Sequence, residues 1–280
     1  MRIDGKAIAQ HILDNLTKKV TELRSDGVTP HLAVILVGDD ESSKAYVRQK
    51  ELKVQQIGAA ITIHRFKKSF SEDELLTLID TLNNDEIVHG VIVQRPLPPH
   101  IDEDKVTNST LASKDIDGFR SDSPFDPPIA LAVWRILKDV QQQEGEQGRT
   151  LSDWLQTKKI VILGKGQTAG HPIIKLFAKE KVPLTVIDSK TEDKDHLLTE
   201  ADIVISAVGK PGIITSSMIK DGAILIGVGI FRGEDGKMHN DYDDDEVAGR
   251  TNYYTPVPGG VGPVNVAMLL TNLVKAAEAI

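Results

Sequence analysis

The chain lacks several features that mark whole classes of protein. It contains no cysteine, which excludes a disulfide framework, a thiol nucleophile and a zinc site built on thiolates. No apolar run approaches the roughly 18 residues that a membrane-spanning helix requires. Residues 1–6 also lack the charged and apolar regions of a signal peptide. We therefore expect a cytoplasmic protein that neither enters a membrane nor depends on a metal.

A surplus of basic charge is missing as well. The 33 lysines and arginines are outnumbered by 41 aspartates and glutamates, so the net charge is −8. Binding to nucleic acid needs a basic surface for the phosphates, and we expect no nucleic-acid partner. A local basic pocket stays compatible with this charge. With 40% hydrophobic and 26% charged residues, the 280-residue chain is globular and long enough for two domains.

Apolar segments of strand length alternate with helical segments along the chain. We predict helices at 8–23, 43–57, 71–82 and 127–140, and strands at 32–37, 60–64, 88–93, 159–163, 184–187, 203–208 and 223–228. The residues Ser71-Glu72-Asp73-Glu74 are a capping-box signature for the start of the third helix. Strands that are apolar on both faces and alternate with helices indicate parallel sheets covered on both sides. The sequence therefore predicts an α/β fold of two lobes. The acidic residues at 241–246 are predicted to form a solvated loop.

A glycine-rich turn follows the predicted strand 159–163. Gly164, Gly166 and Gly170 have the spacing GxGxxxG, one residue longer than the common dinucleotide fingerprint. The turn lies between a strand and a helix, where backbone N–H groups and a helix N-terminus can bind a pyrophosphate. Asp188 ends the next strand, where an acidic residue can bind the ribose hydroxyls or simply terminate the strand. We predict a dinucleotide site at this sheet edge.

Candidate catalytic side chains lie in the N-terminal half. Tyr46 and Lys50 are four residues apart on a predicted helix and share a face, an arrangement that suits proton exchange but is also common on surfaces. Gln94 follows a buried strand and precedes a proline-stiffened turn, a position where α/β proteins hold ligands. Asp115 and Asp117 lie in a turn that they could cap or use for binding.

The segment Thr255-Pro256-Val257-Pro258-Gly259-Gly260-Val261-Gly262-Pro263 combines three prolines with three glycines. Proline fixes φ and removes a donor, and glycine lets the backbone pass close to a ligand. The segment is either a rigid linker into the apolar run 264–280 or a binding loop.

These motifs together resemble the bifunctional methylenetetrahydrofolate dehydrogenase/methenyltetrahydrofolate cyclohydrolase (FolD) family. The resemblance covers nearly the whole chain and is most specific at PVPGGVGP. It implies two α/β lobes with a cleft between them: a folate-binding catalytic domain at 1–126 and 254–280, and a Rossmann-like dinucleotide-binding domain at 127–253. It also implies a homodimer through the nucleotide-binding domain, and a role in one-carbon metabolism and purine biosynthesis.

The resemblance assigns roles to the candidate residues. Lys50 matches the catalytic lysine, Gln94 the residue that positions it, and Tyr46 a tyrosine that stacks on or bonds the folate. Asp117 matches the carboxylate that anchors the pterin. The predicted substrate contacts are Tyr46, Lys50, Gln94, Pro96, Leu97, Asp117, Pro258, Gly259 and Gly260. The predicted cofactor contacts are Gly164, Lys165, Gly166, Gln167, Asp188, Ser189, Lys190, Val208, Gly209 and Ile230.

Departures from the family pattern concentrate in the dinucleotide-binding domain. The family's Gly-Arg-Ser turn is Gly164-Lys165-Gly166 here, and Asp188 replaces a histidine. Losing Arg and Ser while gaining a carboxylate disfavours the 2′-phosphate of NADP, whereas Lys165 and Lys190 favour it. The cofactor is NADP or NAD, with a lean to NAD. The loop after Phe119 is also shorter than in the family.

Three functions follow from these observations. The first is oxidation of 5,10-methylenetetrahydrofolate to methenyltetrahydrofolate with NAD(P), followed by hydrolysis to 10-formyltetrahydrofolate. The second is cyclohydrolase activity alone, with a degraded nucleotide site. The third is a non-catalytic protein that binds folate or nucleotide.

Overall fold

The computed structural model describes residues 1–279, which form two compact units. The first unit comprises Gln10–Pro128 with Val266–Ile280, and the second comprises Met1–Ala9 with Ile129–Asn265. Each unit contains its own parallel sheet, so the predicted α/β fold with two lobes is confirmed. Within the described part of the chain, no helix is both long enough and apolar enough to cross a bilayer.

The first unit is built on a three-stranded parallel sheet. Its elements, in chain order, are α1 (Gly5–Ser25), β1 (His31–Val37), α2 (Glu41–Gln56), β2 (Ala60–Phe66), α3 (Glu72–Asn84), β3 (Gly90–Val93) and α4 (Glu103–Ser109), followed by a 3₁₀ turn at Ala112–Lys114. The strand order is β2-β1-β3. Leu32 to Val37 of the central strand are all buried, as a strand covered on both faces requires.

Capping side chains determine where two of these helices begin. The Ser71 hydroxyl accepts the N–H of Glu74, whose carboxylate accepts the N–H of Ser71, so the predicted capping box is confirmed. Helix α2 begins at Glu41, earlier than predicted, because the carboxylate of Asp40 accepts the N–H of Ser43 at 2.7 Å. Helix α4 was not predicted; its seven residues are too few for a clear apolar period.

The second unit is built on a five-stranded parallel sheet. Its elements are α5 (Pro128–Gln143), α6 (Leu151–Leu155), β4 (Ile160–Leu163), α7 (Gly170–Lys179), β5 (Thr185–Ile187), α8 (Lys194–Glu200), β6 (Ile203–Ser206), a 3₁₀ turn at Ser216–Met218, β7 (Ala223–Gly227), β8 (Ile230–Arg232), β9 (Met238–Asn240), α9 (Asp244–Ala248) and β10 (Thr251–Tyr254). Helix α10 (Val261–Glu278) follows, and from Val266 onward it belongs to the first unit. The strand order is β10-β7-β6-β4-β5, and β8 and β9 form a separate antiparallel pair.

The acidic stretch 241–246 is not the solvated loop that the sequence predicts. Asp241 is fully buried and Tyr242 nearly so. Asp243 caps α9 by accepting the N–H groups of Asp245 and Glu246. The prediction was wrong because it treated all the carboxylates alike, whereas Asp241 satisfies buried backbone donors.

Candidate active site and nucleotide-binding site

Lys50 and Gln94 lie together in the first unit. Lys50 is on α2, and its Nζ donates a hydrogen bond of 3.1 Å to Oε1 of Gln94, which follows β3. Nε2 of Gln94 donates to the carbonyl of Arg95 at 2.7 Å, which fixes the amide with its oxygen toward the lysine. Tyr46, one turn earlier on α2, is 37% exposed. The Lys50 amino group is thus hydrogen-bonded to the Gln94 amide, one helical turn from the partly exposed phenol ring of Tyr46.

The surroundings of Lys50 favour its neutral form. Burial lowers the pKa of Lys50, and the negative charge of Asp117 acts in the opposite direction. Asp117 follows the 3₁₀ turn Ala112–Lys114 and is partly buried. A lysine with a lowered pKa can donate and accept a proton near neutral pH, which is the chemistry of a general acid or base.

The segment that carries Asp117 is fixed by its neighbours. Nζ of the buried Lys114 donates to the carbonyls of Leu82, Asn83 and Asp85, at and beyond the end of α3, over 2.7 to 2.9 Å. Asp115 accepts the N–H of Arg120 at 2.9 Å, so it stabilises the turn as a capping residue does. The turn that presents Asp117 is therefore anchored on both sides.

An arginine links the Gln94 turn to the Asp117 turn. The guanidinium of Arg95 lies 4.5 Å from the ring centroid of Phe119, donates to Thr107 at 2.7 Å and pairs with Glu103 at 3.1 Å. The sequence did not indicate Thr107 or Glu103 as partners of Arg95, because helix α4, which carries both, was not predicted. Pro96, preceded by a cis peptide bond, and Leu97 continue the same turn.

The predicted glycine turn has the close packing of a dinucleotide site. It joins β4 to α7, and a Cβ on Gly170 would lie 2.1 Å from the carbonyl oxygen of Gly164. Only glycine therefore allows the helix to start so close to the strand. A Cβ on Gly166 would meet nothing within 4 Å, so the backbone is open to a ligand there. These residues fit a bound pyrophosphate.

Asp188 is engaged by the glycine turn and by its own loop. Nζ of Lys165 lies 2.8 Å from its Oδ2, and the N–H of Lys190 donates to its Oδ1 at 2.9 Å. The bond from Lys165, followed by that from Lys190, lowers the pKa of Asp188 to about 2. A cavity of about 420 Å³ opens here, lined by Asp188, Ser189, Thr191, Asp193, Lys194, Asp195 and His196. Gln167 lies in the glycine turn itself and Ser189 in the cavity wall.

Asp241 organises the loop that carries two of the predicted cofactor contacts. Its carboxylate accepts the N–H groups of Val208, Gly209 and Lys210 at 3.0, 2.7 and 2.8 Å, and the hydroxyl of Ser206 at 2.5 Å. Sequence reasoning missed Asp241 because it stands in an acidic run. Ile230 adjoins this loop, since its carbonyl would lie 3.2 Å from a Cβ on Gly209.

The proline–glycine segment is anchored in the second unit by a buried polar network. Oγ1 of Thr255 accepts the N–H of Gly227 at 2.7 Å, and its carbonyl accepts the hydroxyl of Tyr242 at 2.6 Å and the amide of Asn240 at 3.1 Å. A Cβ on Gly227 would lie 2.5 Å from Oδ1 of Asn240. Glycine at 227 therefore makes room for the side chains of Asn240 and Tyr242.

The glycines of this segment allow close backbone contact. Gly259 has a φ of +104°, and a Cβ on Gly5 would lie 1.9 Å from the carbonyl oxygen of Gly260. The peptide bond before Pro258 is cis. The predicted contacts Pro258, Gly259 and Gly260 thus belong to the second unit, whereas Tyr46, Lys50, Gln94 and Asp117 belong to the first. Among residues 1–279, no group of three or more His, Asp or Glu side chains is arranged to hold a metal.

Two family models together match most of the chain. Residues 3–117 match the tetrahydrofolate dehydrogenase/cyclohydrolase catalytic domain, and residues 132–280 match the NAD(P)-binding domain of the same family. The bifunctional protein FolD of Nautilia profundicola is 39% identical over 285 residues, which is 99% of this chain and 96% of that protein. The FolD protein of an Exiguobacterium species is 40% identical over 276 residues, covering 99% and 98%.

Solved structures of FolD enzymes are also similar to this chain. The bifunctional FolD enzyme of Campylobacter jejuni is 37% identical and superposes with a TM-score of 0.92, covering 100% of this chain and 99% of that one. The FolD enzyme of Trypanosoma brucei, complexed with NADP and an inhibitor, is 32% identical with a TM-score of 0.88, covering 100% and 97%. The NAD-dependent methylenetetrahydrofolate dehydrogenase of Saccharomyces cerevisiae, 19% identical with a TM-score of 0.78 and covering 99% and 97%, shares the fold.

Proposed function

The chain belongs to the tetrahydrofolate dehydrogenase/cyclohydrolase (FolD) family, and we propose from this membership that it performs both reactions of that family. It oxidises 5,10-methylenetetrahydrofolate with NAD(P) and hydrolyses the methenyl product to 10-formyltetrahydrofolate. The observation that carries the proposal is the bond between Lys50 and Gln94, with Asp117 acting electrostatically on the same lysine.

The chemistry of the two steps explains why these side chains are suited to them. The dinucleotide, which the glycine turn at 164–170 would hold, would supply a nicotinamide as acceptor for a hydride from the one-carbon bridge of the folate. That step needs orientation rather than a strong base, and Tyr46 and Asp117 provide it by stacking on the folate and by accepting N–H bonds from the pterin edge. Hydrolysis needs proton transfer when water adds to the methenyl carbon, and Lys50 provides it. Gln94 keeps the ammonium directed at that reaction.

Replacing Lys50 tests this assignment. We expect Lys50→Met to lower the rate of methenyltetrahydrofolate hydrolysis by about 100-fold or more, the usual size of a general acid–base contribution. Lys44→Met is the control, because Lys44 lies on the same helix but is 44% exposed and pairs with Glu41. Hydrolysis that continues unchanged in the Lys50 variant would refute the proposed role.

We propose further that NAD is the preferred dinucleotide. The charged carboxylate of Asp188 suits the two free hydroxyls of the NAD ribose and repels the 2′-phosphate of NADP. Lys165 has its ammonium on this carboxylate, which leaves less positive charge for a phosphate. Asp193 and Asp195 add negative charge to the cavity wall.

Kinetics of two variants test the preference. Asp188→Ser should shift the ratio of kcat/KM for NAD to that for NADP by about tenfold toward NADP, as loss of one charge-assisted contact does. Asp193→Asn removes a charge from the same cavity and tolerates the left-handed backbone there, with a φ of +53°. An equal shift in both variants would mean that bulk charge, and not the ribose contact, sets the preference.

From the family resemblance we propose, in addition, a cytoplasmic homodimer that joins through its nucleotide-binding domain and serves one-carbon metabolism and purine biosynthesis. Strand β5 supports the dimer, because it is an edge strand and Val186 on it is 36% exposed. Val186→Lys should yield a monomer by light scattering coupled to size-exclusion chromatography. A dimer that persists in this variant would place the interface elsewhere.

A further inference from the structure

Asn272 is a buried polar side chain in the apolar helix α10, with 1% of its surface exposed. An amide in such surroundings is costly unless it is hydrogen-bonded. Its Nδ2 donates to the carbonyl of Ile116 at 2.9 Å and to the carbonyl of Asp126 at 3.0 Å. Both donor positions of the amide are therefore used on the backbone of one loop.

The two accepting carbonyls bracket the loop that carries Asp117. Ile116 directly precedes Asp117, and Asp126 directly follows Phe125. The two arms of this loop lie against each other, since a Cβ on Gly118 would be 2.5 Å from the carbonyl oxygen of Phe125. Because one amide bonds a carbonyl at each end, Asn272 closes the loop at its base.

Packing around Gly90 holds the same segment in place. A Cβ on Gly90 would lie 2.8 Å from Cδ1 of Ile116 and 3.0 Å from Cδ1 of Leu273, so both side chains reach the start of β3. Leu273 is the residue after Asn272. Ile116 and Leu273 therefore both pack on the backbone at Gly90, so the residue before Asp117 and helix α10 share this neighbour in addition to the hydrogen bond from Asn272.

We propose that Asn272 is a positioning residue for folate binding, which acts by fixing the backbone on both sides of Asp117. The inference rests on the proposed role of Asp117 as the pterin anchor. Asn272 would hold the carboxylate where the pterin edge meets it, while Lys50 and Gln94 are held separately by α2 and β3. Loss of Asn272 should accordingly affect substrate binding more than turnover.

The test is Asn272→Leu, which keeps the approximate size of the side chain and removes both donors. We expect KM for methenyltetrahydrofolate in the hydrolysis reaction to rise about tenfold or more, since a tenfold change corresponds to about one lost buried hydrogen bond and this variant loses two. The kcat should change by less than about twofold, and the Kd for NAD should stay unchanged. In the Asp117→Asn background, the same substitution should raise KM by less than about twofold, because the residue through which it acts is already lost.

A rise in KM that is fully additive with Asp117→Asn, or no rise at all, would overturn the proposal. Val274→Ala is the stability control. Val274 lies on the same helix and is 1% exposed, and its replacement by alanine removes only apolar volume. It should lower the thermal midpoint without raising KM; an equal rise would assign the effect to general loss of stability and would also overturn the proposal.

Asn272→Ser is the second variant, for use where the leucine variant does not fold. It keeps one hydroxyl donor, and we expect a smaller rise in KM than with leucine; an unchanged KM would overturn the proposal. A failure of the proposed function can be distinguished from a failure of the role of Asn272. If the wild-type protein does not hydrolyse methenyltetrahydrofolate, the proposed role of Asp117 is refuted, whatever the Asn272 variants show.

Discussion

Asp115 gives the protein a dependence of stability on pH that can be measured. Its side chain is 5% exposed, and burial is the main cause that raises the pKa of Asp115 to about 6; the negative charge of Asp117 adds to this. The hydrogen bond from the N–H of Arg120 acts in the opposite direction without overcoming burial. In the unfolded chain the same carboxyl has its ordinary pKa of 3.8.

The sign of the effect follows from these two values. Because the pKa of Asp115 is higher in the folded state, the folded state binds the proton more tightly, and this stabilisation is complete below pH 3.8. It is lost as the pH rises from 3.8 through about 6. At 1.36 kcal/mol for each unit of pKa, the free energy of unfolding should fall by about 3 kcal/mol over this window.

Asp115→Asn isolates this contribution, because its amide oxygen can still accept the N–H of Arg120 but does not titrate. Urea unfolding of both proteins from pH 4 to pH 7 should show the variant gaining about 3 kcal/mol relative to the wild type. Asp122→Asn is the control: Arg120 lowers the pKa of this exposed carboxyl, so that variant should not gain. A difference between Asp115→Asn and wild type that stays flat, or falls with pH, would refute the reasoning.

Three further substitutions test other parts of the structure. Asp117→Asn should lower the kinetic pKa of Lys50 in the pH profile of hydrolysis, because it removes the charge that opposes burial; an unchanged or higher pKa would contradict this. Tyr242→Phe breaks the bond to the Thr255 carbonyl and should lower the free energy of unfolding by about 1–2 kcal/mol in urea; equal stability would show that the network is dispensable. Asp241→Asn should weaken NAD binding about tenfold by calorimetry while hydrolysis persists; unaltered affinity would separate this carboxylate from the cofactor site.

Sequence patterns predicted the parallel sheets well because their physical cause is local. Central strands such as β1 and β4 are covered on both faces and read as continuous apolar runs. The capping box of α3 was readable for the same reason, since Ser71 and Glu74 are three residues apart. Short elements such as α4 and the β8–β9 pair carry too few residues for a period to appear.

The hydrogen bonds of the polar network around the candidate site could not be predicted from the sequence, because the residues that they join are distant in the chain. Asp241 satisfies donors at 208–210, and nothing in an acidic run distinguishes the one buried carboxylate from its exposed neighbours. Asn272 did leave a signal, a polar residue inside the apolar run 264–280, but its acceptors Ile116 and Asp126 are visible only in three dimensions. The bond from Lys50 to Gln94 likewise needed the fold, although each residue was a candidate on its own.

We propose that this one chain carries both folate reactions. The most direct measurement gives wild-type protein 5,10-methylenetetrahydrofolate with NAD and, separately, with NADP, and follows reduction of the nicotinamide together with formation of 10-formyltetrahydrofolate in the same sample. We predict reduction with at least one dinucleotide, faster with NAD, followed by the formyl product. Hydrolysis of added methenyltetrahydrofolate without reduction of either dinucleotide would contradict this prediction. The protein would then have cyclohydrolase activity but no dehydrogenase activity.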